Sequence, residues 1–242
     1  MKNWQQVLDR KARRSHFKWY LKLALVLLGW GAGSAWAGAY EDFLRALQLD
    51  DAPAMVQLLR RGLDPNTVDP RARPALTAAL DHGSLQVAEV LLAHPGVDVN
   101  RLSPVGESAL MLAALRGHLG WCEKLISRGA DVNKIGWTPL HYAASQEDVR
   151  IVRLLLDHHA YIDAESPNKT TPLMMAARYG SEEIARHLLD EGADPTLRNE
   201  RGLGAADFAR AAERETLAQE IERRAAALAE RRVPGTAPAT RP

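Results

Sequence analysis

Apolar positions recur along this chain in short paired runs at helical spacing. Leu140, Ala143 and Ala144 form one run; Val152, Leu155 and Leu156 form the next. Steps of three and four put such side chains on one face of a helix. The frame GWTPLHYAA (136–144) returns as GESALMLAA (106–114), as KTTPLMMAA (169–177) and, more loosely, as RPALTAAL (73–80). A second apolar run follows each: VAEVLLA, WCEKLIS, VRLLLDH, IARHLLD. Turns separate the units, reading RGLDPN, HPGVDVN, RGADVN, HHAYID and EGADPT. The frame leucine falls at Leu76, Leu110, Leu140 and Leu173, in steps of 34, 30 and 33 residues. Each unit therefore predicts two helices and a turn. One such unit cannot bury its own apolar face, so the units must stack.

The local chemistry agrees with that pattern. Thr138 and Thr171 are placed to cap a helix through their hydroxyls. Pro139 and Pro172 suit the first helical position, where a missing N–H costs nothing. Paired alanines such as Ala143 and Ala144 let neighbouring helices approach closely. Gly62, Gly96, Gly129 and Gly192 hold the turn slot, with His159 in the fourth copy, and each predicts a left-handed residue that stops its helix. A period of about 33 residues carrying TPLHxAA resembles the ankyrin-repeat family. The resemblance covers roughly Tyr40 to Leu228. It implies an all-α ankyrin-repeat solenoid of helix-turn-helix units with β-turn fingers. The expected organisation is an N-terminal capping repeat over 38–68, core repeats over 69–199, a C-terminal capping repeat over 200–230 and a disordered Pro/Ala/Thr-rich tail over 231–242. One finger departs from the others: Asn133 to Gly136 spans three residues, where Asn100 to Gly106 spans six. Close by, Glu147 fills a slot that is glycine at Gly83, Gly117 and Gly180.

Residues 1–37 do not belong to the array. A basic stretch from Lys2 to Lys22 leads into the apolar run LALVLLGWGAG and then SAWA. Basic, apolar, then A-x-A predicts a signal peptide cleaved after Ala37. The uncharged stretch Leu23 to Tyr40 also meets the lower length limit of a membrane anchor. Under either reading, the flanking positive charge keeps the N-terminus cytoplasmic and exports the array. The expected compartment is the bacterial periplasm, or the outer face of the inner membrane if the segment stays.

Charge and cysteine narrow the partners. After residue 37 the chain carries 24 basic against 29 acidic residues, net −5. That balance argues against nucleic acid and anionic membranes as partners. Cys122, the only cysteine, sits in an inner slot and reads as a small buried hydrophobe.

The sequence offers no catalytic constellation, cofactor motif or metal-ligand spacing. His141 and His118 sit where the family, by resemblance, uses histidine structurally. His158 and His159 are adjacent and lack placeable partners for a metal. What remains is a surface. The family resemblance implies protein binding on the concave side, through first helices and fingers. The outward positions there give Trp137, Tyr142, Leu112, Arg116, Met175, Arg178 and Tyr179 as the candidate protein-binding set, rich in residue types that dominate interfaces. The reading is a monomeric, non-enzymatic module for an unnamed protein partner, acting as adaptor, stress-protection or immunity protein. A membrane-tethered envelope scaffold is the alternative, and a metal-binding or enzymatic protein built on His158 and His159 the remote one.

Overall fold

Six helix pairs stack in register in the computed structural model, which describes residues 33–232, with side chains from 38 to 231. The first helices are α1 (Gly33–Leu49), α3 (Ala75–His82), α5 (Ala109–Leu115), α7 (Pro139–Ala144), α9 (Pro172–Arg178) and α11 (Ala205–Arg210). Their partners are α2 (Ala52–Arg60), α4 (Leu85–Ala93), α6 (Leu119–Ser127), α8 (Val149–Asp157), α10 (Glu182–Asp190) and α12 (Glu215–Arg232). First helices pack on first helices; in a second row behind them α2 packs on α4, α6 on α8 and α8 on α10, and Lys124 of α6 pairs with Glu89 of α4. Among the described residues there is no strand; isolated antiparallel bridges join Val68 to Pro74 and Arg198 to Gly204. The result is the all-α solenoid expected from the period.

One continuous core runs the length of the stack. Leu76, Leu110, Leu140 and Leu173 are each at most 2% exposed, and the alanine pairs beside them are fully covered. Alanine is required there because first helices of adjacent units lie in direct contact. Phe43 fills the leucine slot of the first pair and is fully buried. The predicted cleavage point after Ala37 falls inside α1; residues 1–32 lie outside the described residues. At the other end α12 includes Arg231 and Arg232, so the helix takes the first two residues of the expected tail; residues 233–242 lie outside the described residues. Among the described residues, no helix is long and apolar enough to cross a membrane.

The helix stops follow the turn slot with one exception. Gly62, Gly129 and Gly192 have φ near +90°, and His159 is left-handed at φ 62° despite its side chain. Gly96 is not left-handed. There the helix ends at His94, whose ring nitrogen accepts the Gly96 N–H at 3.1 Å, so the extra His-Pro pair makes the turn instead.

An amide ladder ties each turn to the next. Asn66 donates to the Gly96 carbonyl and accepts the Asp98 N–H at 2.8 and 2.7 Å. Asn100 makes the same pair with Gly129 and Asp131, and Asn133 with His159 and Tyr161. In the fourth rung Asp163 accepts the Asp194 N–H at 3.0 Å. A carboxylate has no N–H to return to the carbonyl of Gly192. Asp163→Asn is expected to complete the rung and raise stability by about 1 kcal/mol, read as a higher urea midpoint. An unchanged midpoint would mean the amide gains nothing there.

Cys122 is fully buried in α6. Burial pushes its thiol up to about 12, and the thiolate is the reactive form. A thiol reagent such as DTNB is expected to leave the folded protein unlabelled and to react only on unfolding; rapid labelling of the native chain would contradict this packing.

Candidate functional site: the inner face of the fourth and fifth pairs

The residue before each frame and the outward residues of each first helix line one side of the stack. On that side the middle pairs carry the aromatic side chains. Trp137, just before α7, is half-buried, with its ring edge-on to His141 at 5.2 Å. Tyr142 is half-buried, and its hydroxyl donates to the Glu107 carboxylate at 3.2 Å. Met175 occupies in α9 the slot that Tyr142 occupies in α7. Because α7 and α9 pack directly on each other, the two residues hold equivalent positions on adjoining helices. Tyr179 is 41% exposed, with the Arg178 guanidinium 5.8 Å from its ring centre. Trp137, Tyr142, Met175, Arg178 and Tyr179 therefore come from two adjoining pairs.

Leu112 and Arg116 do not join that group. Leu112 is only 4% exposed, because α5 is flanked by both α3 and α7, so it is core rather than contact surface. Arg116 is exposed, but its guanidinium donates to Asp81 at 2.5 Å. Asp81 also receives Arg73, which is 8% exposed and held by Asp69 at 2.7 Å as well. Burial would raise the Asp81 carboxyl, yet the hydrogen bond from Arg116 and the charges of Arg73 and Arg116 hold it below its ordinary value. The first half of the face is thus a closed ion network.

The shortened finger has its own construction. In four other fingers a reverse turn closes by two backbone bonds: the Ser103 N–H donates to the Glu107 carbonyl and the Gly106 N–H to the Ser103 carbonyl, and likewise Ser166 to Thr170 and Lys169 to Ser166. Between Asn133 and Thr138 the missing residues remove that pair. Lys134 replaces it: its ammonium donates to the carbonyls of Ile135 and Trp137 at 3.1 and 3.0 Å. Burial lowers the Lys134 ammonium below its ordinary value. The tip this leaves is Ile135, 99% exposed.

His141 fixes the base of the same finger. Its Nδ1 accepts the Thr138 N–H at 3.2 Å, and its Nε2–H donates to the Thr170 carbonyl of the next unit at 2.9 Å. The expected link between repeats is present. The Thr138 hydroxyl lies 2.8 Å from the same Nδ1, and Thr138 and His141 together form a capping box at the start of α7. Thr171 caps α9 through the Met174 N–H. His158 and His159 are exposed in the turn after α8, and among the described residues no group of three His, Cys, Asp or Glu side chains gathers to hold a metal.

Sequence reasoning missed Lys134 and Asp81. Lys134 was not singled out, although the three-residue span beside it signalled lost backbone bonds. Asp81 lies 35 residues before Arg116, close to one repeat length, which was the available signal for the pair.

Comparison with known proteins agrees with the stacked geometry. A family model described as "Ankyrin repeats (3 copies)" matches residues 43–135 and 131–199. The chain is similar to the chicken (Gallus gallus) nuclear factor NF-kappa-B p105 subunit, 32% identical over 155 residues, covering 61% of this chain and 16% of that protein. It is 31% identical over 155 residues to the B-cell lymphoma 3 protein homolog of Mus musculus, covering 61% of this chain and 35% of that protein. It is 30% identical over 159 residues to the human transient receptor potential cation channel subfamily A member 1, covering 61% of this chain and 14% of that protein. The chain spans about a third of the second relative's length and less of the other two, so the likeness is between arrays. From the extent of the family match and the stacked pairs that bear it out, this chain belongs to the ankyrin-repeat family.

Proposed function

We propose that this ankyrin array is a non-enzymatic binding protein whose contact surface is the inner face of the fourth and fifth helix pairs. Ankyrin repeats are protein–protein interaction modules, so the general activity follows from the family. The observation that carries the specific surface is the run of Trp137, Tyr142, Met175 and Tyr179 across two adjoining pairs, beside a finger too short to shield it. Aromatic side chains there bring large contact area at low entropic cost. The ion network on the first half of the face is already satisfied internally and has less to offer a partner.

The place of action belongs to the same proposal. The basic, apolar and A-x-A pattern of residues 1–37 supports export, with the array working in a bacterial periplasm as adaptor, stress-protection or immunity partner. A second reading keeps residues 1–37 as an anchor and makes the array an envelope scaffold. The continuity of α1 from Gly33 through Ala37 favours it. Intact mass of the exported protein separates the two: loss of residues 1–37 supports cleavage, and the full-length mass supports the anchor. Binding is tested by co-purifying partners on a tagged chain and on a Trp137→Ala/Tyr179→Ala variant that melts like wild type. A stoichiometric partner held by the first and lost by the second is the expected result; equal retention by both would overturn the assigned face.

A further inference from the structure

Most arginines that take part in the described charge contacts meet a carboxylate. Arg73 and Arg116 meet Asp81, Arg186 meets Glu182 and Glu220, and Arg224 meets Asp190 and Glu220. Arg178 does not. Its Nη1 is buried, and among the described residues it has no hydrogen-bond partner. Its only recorded contact is the approach of the guanidinium to the Tyr179 ring. A covered N–H without an acceptor is unfavourable in the free protein, so turning the half-buried Arg178 side chain outward to an acceptor on a partner relieves it. The cation next in line on this side, Lys134, is likewise held by backbone carbonyls alone, one of them that of Trp137.

We infer that the inner face between α7 and α9 takes a protein segment that places one Asp or Glu carboxylate on Arg178 and apolar side chains on Trp137 and Met175. This rests on the binding reading above and adds the chemistry of the partner. A guanidinium donates two parallel hydrogen bonds to a carboxylate, so an acidic side chain would pair with Nη1 once the Arg178 side chain turns outward to meet it. Surrounding charge sets how much acid the face tolerates. The Glu107 carboxylate lies just beyond Tyr142, which donates to it, and feels the charges of both Asp81 and Arg73. The chain after residue 37 is net −5. A run of acids, or a polyanion such as nucleic acid, is therefore repelled, while a single carboxylate among apolar residues is complementary.

The test uses the full chain, immobilised, to select from a displayed library of random peptides about a dozen residues long. The best peptides are synthesised and their affinities measured. Expected are peptides with one Asp or Glu near apolar residues. Replacing that acid by its amide, or making Arg178→Gln, is expected to weaken binding about tenfold, and combining the two to add little more. Arg178→Lys should restore part of the loss. Thermal melts establish that each variant is folded. Selected peptides without a carboxylate, unchanged affinity in Arg178→Gln, or tighter binding of a single-stranded oligonucleotide would each overturn the carboxylate assignment. Loss of binding in Trp137→Ala with none in Arg178→Gln would remove the acid while leaving the face standing. Indifference to both changes, or a library yielding no binder, would remove the peptide site as well.

Discussion

Acidification from neutral to about pH 4 is expected to cost the array about 3 kcal/mol through His141 alone. The ring is fully buried, and burial lowers its pKa from 6.5 to about 4. Its hydrogen bonds require the neutral form, since Nδ1 accepts the Thr138 N–H while Nε2–H donates to Thr170. In the unfolded chain the ring takes up a proton below about 6.5; in the folded chain it does so only near 4. Between those values the unfolded state binds more protons. The contribution is therefore whole above about pH 6.5, declines as pH falls, and levels off below about 4. His141→Gln does not titrate in this range. Urea midpoints measured for both proteins across that window should converge as the pH drops. Parallel curves would mean that His141 is charged, or free to become charged, in the fold.

Gly180→Ala is expected to be the most damaging small substitution in the core repeats. An added Cβ would lie 2.1 Å from the Ala144 carbonyl oxygen and 3.1 Å from that of Gln146. Both obstacles are backbone, so no rotamer relieves them. Accommodation requires the ends of α7 and α9 to part, breaking the 3.1 Å bond from the Ser181 N–H to the Gln146 carbonyl. A cost of about 3 kcal/mol or more is expected. Gly117 holds the same slot one pair before Glu147, with open space around it but φ at +71°. Gly117→Ala should cost only the left-handed penalty, about 1–2 kcal/mol. Chemical denaturation of the two variants decides it, and equal losses would contradict the close approach at Gly180. Glycine thus serves one slot for two reasons, backbone sign at Gly117 and backbone proximity at Gly180.

Much of this was legible in the sequence because the repeat makes each unit a control for the others. The frame leucines, the paired alanines and the glycines at 62, 129 and 192 lie where the period puts them. Departures from the period were legible as departures, but their structural consequences were not. The three-residue span after Asn133 marked a shortened finger. That Lys134 would supply the lost bonds depends on how far its ammonium reaches, which spacing does not encode. Gly96 broke its slot rule because His94 and Pro95 form the turn first. Thr138 read as a hydroxyl cap, yet the histidine three residues on brings its ring nitrogen back to the N–H of Thr138 itself, and the hydroxyl lies 2.8 Å from that nitrogen. Leu112 read as outward from its helical position. Its exposure is set by the helices on either side of α5, which one unit's pattern does not contain. The charge network was hidden for a related reason: Asp81 and Arg116 belong to different units and meet only when these stack.

The central claim is that protein binding is confined to the face made by the fourth and fifth helix pairs. The most direct measurement is backbone hydrogen exchange on the full chain, with and without a saturating captured partner. The account predicts slowed exchange in the finger around 134–138, in α7 and in α9, with little change in α3 and its finger. Protection centred on the second-row helices, or on the first finger around Arg73, would contradict it.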